Sequence, residues 1–161
     1  MVLTDEEIDR LIRMPKQIVN PKARKKVQSG SLQINYDVVG PGYRFQLFVR
    51  QNQRLENGFS CGLLWLAESG QKVVLARYNG SDHEHRNPLD KIRKMPHCCH
   101  IHKATQRYME AGRKAEHYAE ATARYTNVDG ALLALLSDCN VSGLGLLKNP
   151  SQSSLFEDRD D

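Results

Sequence analysis

The chain has 161 residues, a net charge of +4 and a pI near 8.9, which fits one domain of ordinary size. Apolar residues make up 40% and charged residues 26%, enough to bury a core, which excludes a disordered tail. No apolar run reaches about 18 residues, the length of a membrane-spanning helix, and the acidic start at residues 5–7 is unlike a secretory signal. We therefore expect no membrane partner.

The first part of the chain predicts one short helix and then a meander of strands. Thr4 and Glu7 form a capping box, and the helix that they open should end before Pro15. Alternating apolar residues predict four strands and a candidate fifth, over residues 31–38, 43–50, 59–66, 72–78 and 98–103.

Two helices are predicted in the last third of the chain. Apolar and aromatic residues at 3–4 spacing predict a helix of about five turns from Tyr108 to Tyr125. Asn127 then caps a Leu-rich helix from Val128 to Cys139. The expected fold is one α+β domain over residues 1–150. It is an antiparallel meander of four to five strands packed by two C-terminal helices and the short N-terminal helix, followed by an acidic tail, 151–161, that frays.

Basic residues are concentrated in one segment. Between residues 10 and 54, ten basic residues are opposed only by Asp37, so this segment carries +9 and the rest of the chain −5. Such a segment could present a cationic face to a polyanion. We therefore expect RNA or another nucleic acid as the partner, and Arg24, Lys25 and Lys26 as substrate-binding residues.

The four cysteines, Cys61, Cys98, Cys99 and Cys139, indicate a reducing compartment. No CxxC spacing occurs, and two of the four are adjacent, which suits no ordinary disulfide framework. The expected localisation is cytoplasmic.

Histidines are concentrated in a second segment. Five of the six lie between His83 and His102, and only His117 lies outside. If residues 98–103 are extended, His100 and His102 share one face of the strand, because strand side chains alternate with period two. The pair would then be held on a rigid support.

The residues alone leave three interpretations of these histidines open. Histidine takes and gives a proton near neutral pH, so the group could cleave a phosphodiester bond, with nearby Arg77, Arg86 and Lys103 binding phosphate. Two histidines at i and i+2 could instead hold zinc with a third ligand. That third ligand would be Asp82, His83, Cys98 or Cys99. In the third interpretation the histidines are ordinary surface or core residues. Because no compact ligand spacing occurs, we favour acid–base catalysis and expect no bound metal and no cofactor.

Four motifs follow one another in residues 59–103. They are Phe59-Ser-Cys-Gly-Leu-Leu-Trp, the run Arg77-Tyr78-Asn79-Gly80, His83, and Pro96-His97 with His100-Ile101-His102. This order resembles the TumE-type toxins of bacterial and archaeal toxin–antitoxin modules. In that family a strand hairpin ends in an Arg-aromatic-Asp-Asn run, followed by a histidine pair and a Pro-His-His-x-His segment.

The resemblance implies a growth-inhibiting toxin that acts on RNA and is neutralised by an antitoxin protein. It transfers functional roles to Arg77, Asn79, His83, His97, His100 and His102. We assign the arginine and the four histidines to metal-independent catalysis. Asn79 is assigned to substrate binding together with Arg86 and Lys103. A second copy of the chain is a further candidate partner.

A non-catalytic binding protein is the alternative. Tyr108, Tyr118 and Tyr125, with basic residues interleaved, could stack and clamp single-stranded nucleic acid, although packing onto the sheet is the favoured role. Such a protein would be a nucleic-acid- or protein-binding inhibitor from a phage or mobile element. Its histidines would be contact or structural residues.

Overall fold

The computed structural model describes residues 1–90 and 97–145, and within them the chain forms three helices and nine strands. The helices are α1 (Asp5–Arg13), α2 (Gln106–Glu110) and α3 (Val128–Asp138). The strands are β1 (Lys16–Ile18), β2 (Lys26–Gln28), β3 (Ser31–Gly40), β4 (Tyr43–Asn52), β5 (Phe59–Leu66), β6 (Lys72–Asn79), β7 (His100–Lys103), β8 (Ala119–Ala121) and β9 (Val141–Ser142). The predicted α+β class is confirmed.

The nine strands of the described ranges belong to one sheet. Their order is β8-β7-β6-β5-β4-β3-β1-β9, and β2 also pairs with β3. Every pairing is antiparallel except that of β1 with β9. The long strands β3 to β6 are the predicted meander, and β7 is the candidate fifth strand. The predicted number of strands was too low because β1, β2, β8 and β9 have only two or three residues, too few to show an alternating pattern.

One face of the sheet is apolar and carries the core. Ile34, Leu47 and Leu63 on neighbouring strands are at most 2% exposed. Helix α3 packs on β4, β5 and β6, and its Leu132 and Leu135 are fully buried. This helix therefore closes the apolar face.

The opposite face is mixed: it carries apolar residues such as Phe48 and Leu64, and also a row of polar residues. Directly paired residues of neighbouring strands share a face of the sheet. Pairing across the sheet gives one line of polar residues: Lys26, Gln33, Arg50, Ser60, Asn79 and His100. We call these six residues the polar row. Their sequence neighbours Val49, Cys61 and Tyr78 are buried in the core, so the row faces away from α3.

Both long helices begin where the sequence predicts. At α1 the Thr4 hydroxyl accepts a hydrogen bond from the Glu7 amide at 3.1 Å, and the Glu7 carboxylate accepts one from the Thr4 amide at 3.3 Å. The helix ends at Arg13, ahead of the proline. At α3 the Asn127 side-chain oxygen accepts from the Gly130 amide at 2.8 Å. These starts are predictable because capping is local.

The predicted helix from Tyr108 to Tyr125 is wrong. Helix α2 ends at Glu110, and Gly112 follows with a φ of +72°, outside the right-handed helical region. The chain then runs extended and forms β8 against β7, with Ala119 paired to His102. Of the residues at helical spacing, Tyr108, Ala119 and Tyr125 are buried in this arrangement without a continuous helix.

Some expectations lie outside the described residues. These are the acidic tail 151–161 and the last part, 146–150, of the predicted domain. Within residues 1–90 and 97–145, no helix is both long and apolar enough to cross a membrane.

The Lys16 side chain forms hydrogen bonds with the C-terminal ends of two helices, α1 and α3. Its ammonium donates to the carbonyl oxygens of Ile12 at 2.7 Å, Met14 at 3.0 Å and Cys139 at 2.8 Å, and the residue is 3% exposed. Burial lowers the pKa of Lys16 to about 8. A positive charge there also complements the two helix dipoles.

We expect Lys16→Met to lower the free energy of unfolding by about 2 kcal/mol, because three carbonyl groups lose their donor. The unfolded lysine holds its proton to higher pH than the folded one, so the wild type gains stability as pH rises above about 8. The difference between wild type and variant should therefore widen there. Urea unfolding at neutral and alkaline pH measures it, with the exposed Lys22→Met as control; equal effects of the two variants would contradict this role.

Candidate functional site

Five histidines meet at the end of the sheet where β6, β7 and β8 lie side by side. We call His83, His85, His100, His102 and His117 the histidine cluster. The ring of His85 lies 5.4 Å from that of His100, 4.8 Å from that of His102 and 5.4 Å from that of His117, measured between centroids. The rings of His83 and His102 each lie 4.9 Å from that of His100. The expected shared face of His100 and His102 is confirmed.

The two strand histidines are buried and held by backbone carbonyls. His100 is 0% exposed and His102 is 3% exposed. Nδ1 of His100 lies 3.0 Å from the carbonyl oxygen of Cys98, and Nδ1 of His102 lies 2.8 Å from that of Glu116. A carbonyl only accepts, so each Nδ1 carries the proton and each Nε2 a lone pair. Burial lowers the pKa of His100, and burial with the nearby charge of Arg77 lowers the pKa of His102 to about 3.

His85 reaches the same point from the loop after β6. Its Nε2 lies 2.8 Å from Oδ1 of Asn87. The Asn87 amide is itself fixed by Ala119 of β8, donating to the carbonyl oxygen at 2.8 Å and accepting from the amide at 2.9 Å. Nε2 of His85 must therefore donate to Asn87, which leaves the lone pair on Nδ1. Burial lowers the pKa of His85.

Three members of the histidine cluster have ring nitrogens that lie close together: His85, His100 and His102. One ring nitrogen from each lies within 4.8 Å of the other two. Of the side chains in the described ranges, these form the one group with spacing suited to a metal ion.

A polar cleft of about 320 Å³ adjoins the histidine cluster. It is lined by Ser31, Arg50, Asn52, Gly58, Phe59, Ser60, Arg77, Asn79, Asp82 and His83. Two buried polar atoms on its wall, Nε of Arg77 and Oδ1 of Asn79, lack a hydrogen-bond partner among the described residues. Unpartnered buried polar atoms are rare and suggest a missing ligand or water.

His83 is the exposed member of the histidine cluster. Its side chain is 49% exposed, and its Nδ1 lies 2.8 Å from Oδ1 of Asp82. The carboxylate accepts a hydrogen bond from the Nδ1–H, so Nε2 carries the lone pair. Of the histidine cluster, His83 is the member that lines the cleft.

A larger cavity of about 560 Å³ lies beside α3 and is lined by Tyr78, Arg124 and Asp138 among others. Its polar groups are paired with each other. Arg124 donates twice to Asp138, at 2.8 and 2.9 Å, and the Tyr78 hydroxyl donates to the same carboxylate. This cavity offers less to a charged ligand than the cleft does.

The remaining predicted site residues lie elsewhere. His97 is exposed, and in the described part of the chain its ring contacts no other histidine ring. Arg86 is exposed and does not line the cleft. Lys103 alternates to the other face of β7 and pairs with Asp9 at 2.6 Å. Arg24, Lys25 and Lys26 lie at or before β2, and only Lys26 joins the polar row.

Sequence reasoning missed His85 and His117 as site residues. His85 stands two residues after His83, so the H-x-H spacing was a usable signal. His117 and the positioning residue Asn87 had no such signal. They reach the histidine cluster only through the pairing of β8 with β7 and the contact of Asn87 with Ala119.

The chain belongs to the family DUF6978, a family of unknown function whose model matches residues 3–141. No curated protein and no solved structure matches it significantly.

Proposed function

We propose that this protein cleaves phosphodiester bonds of single-stranded RNA in the polar cleft. The observation that carries the proposal is the Asp82–His83 pair in one cleft with Arg50 and Arg77. A proton-transfer group beside two fixed cations is the arrangement that phosphoryl chemistry needs.

In this proposal His83 acts as the base. Its Nε2 accepts the proton of a ribose 2′-hydroxyl as that oxygen attacks the adjacent phosphorus. The bond from phosphorus to the 5′ oxygen breaks, that oxygen takes up a proton from solvent water, and His83 then releases its extra proton to solvent. The products are a 2′,3′-cyclic phosphate and a 5′-hydroxyl end. Asp82 fixes the tautomer of His83 and stabilises its protonated form.

The two arginines bind the phosphate. Arg77 lies on β6 and Arg50 on β4, two strands away, so both come from rigid elements. The buried Nε of Arg77 has no partner in the described ranges, and a phosphate oxygen would supply one. Arginine also bears its charge at every physiological pH.

The polar row offers a path for the rest of the strand. Its accessible part crosses four strands from Lys26 to Ser60, a distance of about 14 Å at the usual spacing between strands, and ends at the cleft. Lys26 and Arg50 place positive charge along this path. A single RNA strand could lie across the sheet with one phosphate in the cleft.

The biological role that we propose is a toxin of a toxin–antitoxin module, supported by the likeness to the TumE-type pattern in residues 59–103. Expression of the wild-type chain alone should arrest growth. The arrest should be relieved when the antitoxin encoded by a neighbouring gene is co-expressed. Arrest that persists in a cleavage-dead His83 variant would instead favour the non-catalytic inhibitor.

A direct test uses an end-labelled RNA oligonucleotide, the same sequence as DNA, and the same RNA with 2′-O-methyl groups. Only the unmodified RNA should be cleaved, because the attacking group is the 2′-hydroxyl. Cleavage of the DNA or of the 2′-O-methyl strand would overturn the proposed step. Binding of all three strands without cleavage would favour the binding-protein alternative.

We expect Arg77→Met to lower the cleavage rate about tenfold to a hundredfold, since one charged donor to the phosphate is lost. Arg44→Met is the matched control. Arg44 lies on the same face of β4 as Arg50, about 20 Å along the strand. An equal loss in both variants would place the phosphate outside the cleft.

A further inference from the structure

We propose that His85, His100 and His102 bind one zinc ion. This goes beyond the proposed RNA cleavage and does not rest on it. It also replaces our expectation that the histidine cluster holds no metal. The argument rests on three features of these residues: spacing, tautomer and burial.

The spacing is close to that of a zinc site. In tetrahedral zinc sites the Zn–N distance of 2.0–2.1 Å separates ligand nitrogens by about 3.4 Å. Here the three ligand nitrogens lie within 4.8 Å of one another. Small side-chain rotations that draw the nitrogens about 1.4 Å closer would bring them to that separation.

The tautomers are already those of a metal ligand. Each of the three rings donates one N–H to an oxygen: His100 to Cys98, His102 to Glu116 and His85 to Asn87. Metal-ligating histidines almost always donate their other N–H to a carbonyl or carboxylate in this way. This leaves Nδ1 of His85 and Nε2 of His100 and His102 available as ligand atoms.

Burial is the third feature that favours a metal site. His100 and His102 are nearly inaccessible to solvent, at 0% and 3% exposed, so both rings are held in place by the packing around them. The rings of His85, His100 and His102 pack stacked and edge-on against one another, and the Asn79 amide lies 3.5 Å from Nε2 of His100. A cation at the centre of the three rings would accept all three lone pairs.

Zinc is the ion that fits the ligands. Neutral imidazole suits Zn²⁺, whereas Mg²⁺ and Ca²⁺ prefer oxygen. Three histidines leave a fourth position for water or an anion, as in catalytic zinc sites. An anion there would offset the unfavourable charge of Arg77. Asn79 lies both on the cleft wall and against His100, so the metal site and the cleft would share that wall.

The test is zinc binding by the full chain after treatment with a chelator, read as metal content after equilibrium dialysis. We expect one zinc per chain with a Kd of about 10 µM or tighter. His85→Gln and His102→Gln should each weaken binding at least about a hundredfold. His97→Gln should bind like the wild type, as should a Cys98→Ser, Cys99→Ser double variant.

Cobalt gives a second readout, since a tetrahedral Co²⁺ site absorbs visible light and zinc displaces it. Circular dichroism shows whether each variant folds. If His102→Gln does not fold, His85→Gln still tests the site, because His85 is only half-buried. Wild-type binding weaker than this range, or undiminished binding in folded His85→Gln, overturns the proposal. Because metal content is measured without RNA, failure here is distinct from failure of the cleavage proposal.

Discussion

The variant His83→Asn should cleave RNA about a thousandfold more slowly than the wild type, because it removes the group that takes the 2′-hydroxyl proton. Asparagine keeps a polar side chain of similar size next to Asp82. His83 is half exposed and borders the core without entering it. RNA binding and the free energy of unfolding should therefore stay near their wild-type values, and the loss should appear in kcat rather than in KM.

The matched control is His97→Asn, which changes a histidine of the same sequence segment that lies apart from the histidine cluster. Gel assays of initial rates under saturating RNA measure both variants. If His97→Asn lost as much activity as His83→Asn, proton transfer would have to be assigned to another part of residues 97–103. If His83→Asn kept its full rate, the base would not be His83.

Gly80→Ala should lower the free energy of unfolding by about 3 kcal/mol. Gly80 follows β6, and its amide donates to the Phe59 carbonyl at 2.9 Å. A Cβ at this position would lie 2.1 Å from the carbonyl oxygen of Asn57 and 2.8 Å from the Phe59 ring. The closest atom belongs to the backbone, so side-chain rotation alone does not relieve the overlap.

The same change should impair cleavage, since Gly80 lies between Asn79 and the Asp82–His83 pair. Gly112→Ala provides the comparison. Gly112 has a positive φ, but a Cβ there meets nothing within 4 Å, so its cost should be about 1 kcal/mol from backbone strain alone. Urea unfolding compares the two, and equal costs would show that the loop at residue 57 yields to the added methyl group.

The parts of the fold that follow from local chemistry were predictable. The capping box at Thr4 and the Asn127 cap determine where two helices begin, and period-two alternation marks β3 to β6. The same alternation placed His100 and His102 on one face. Each of these depends on residues within about one turn or one strand, so no tertiary information is needed.

Other features depend on contacts between distant segments. The apolar spacing from Tyr108 onward fits a helix, but the positive φ of Gly112 ends the helix and the chain then pairs as β8 with β7. Within the site, Asn87 orients His85 only because Ala119, 32 residues away, supplies its backbone hydrogen bonds. The basic segment contributes Arg50 to the cleft, and the sequence did not predict this residue because charge alone does not say which side chains face the cleft.

The histidine cluster lies at two short strands, β7 and β8, so its local stability differs from that of the centre of the sheet. Strands β3 and β4 have ten residues each, whereas β7 has four and β8, at the edge, has three. Edge segments of this kind open more easily than the centre of a sheet, with free energies below that of global unfolding. His100, His102 and the Asn87–Ala119 contact all belong to this segment. Local opening of β8 would separate these groups, and an ion or substrate bound to them would oppose that opening.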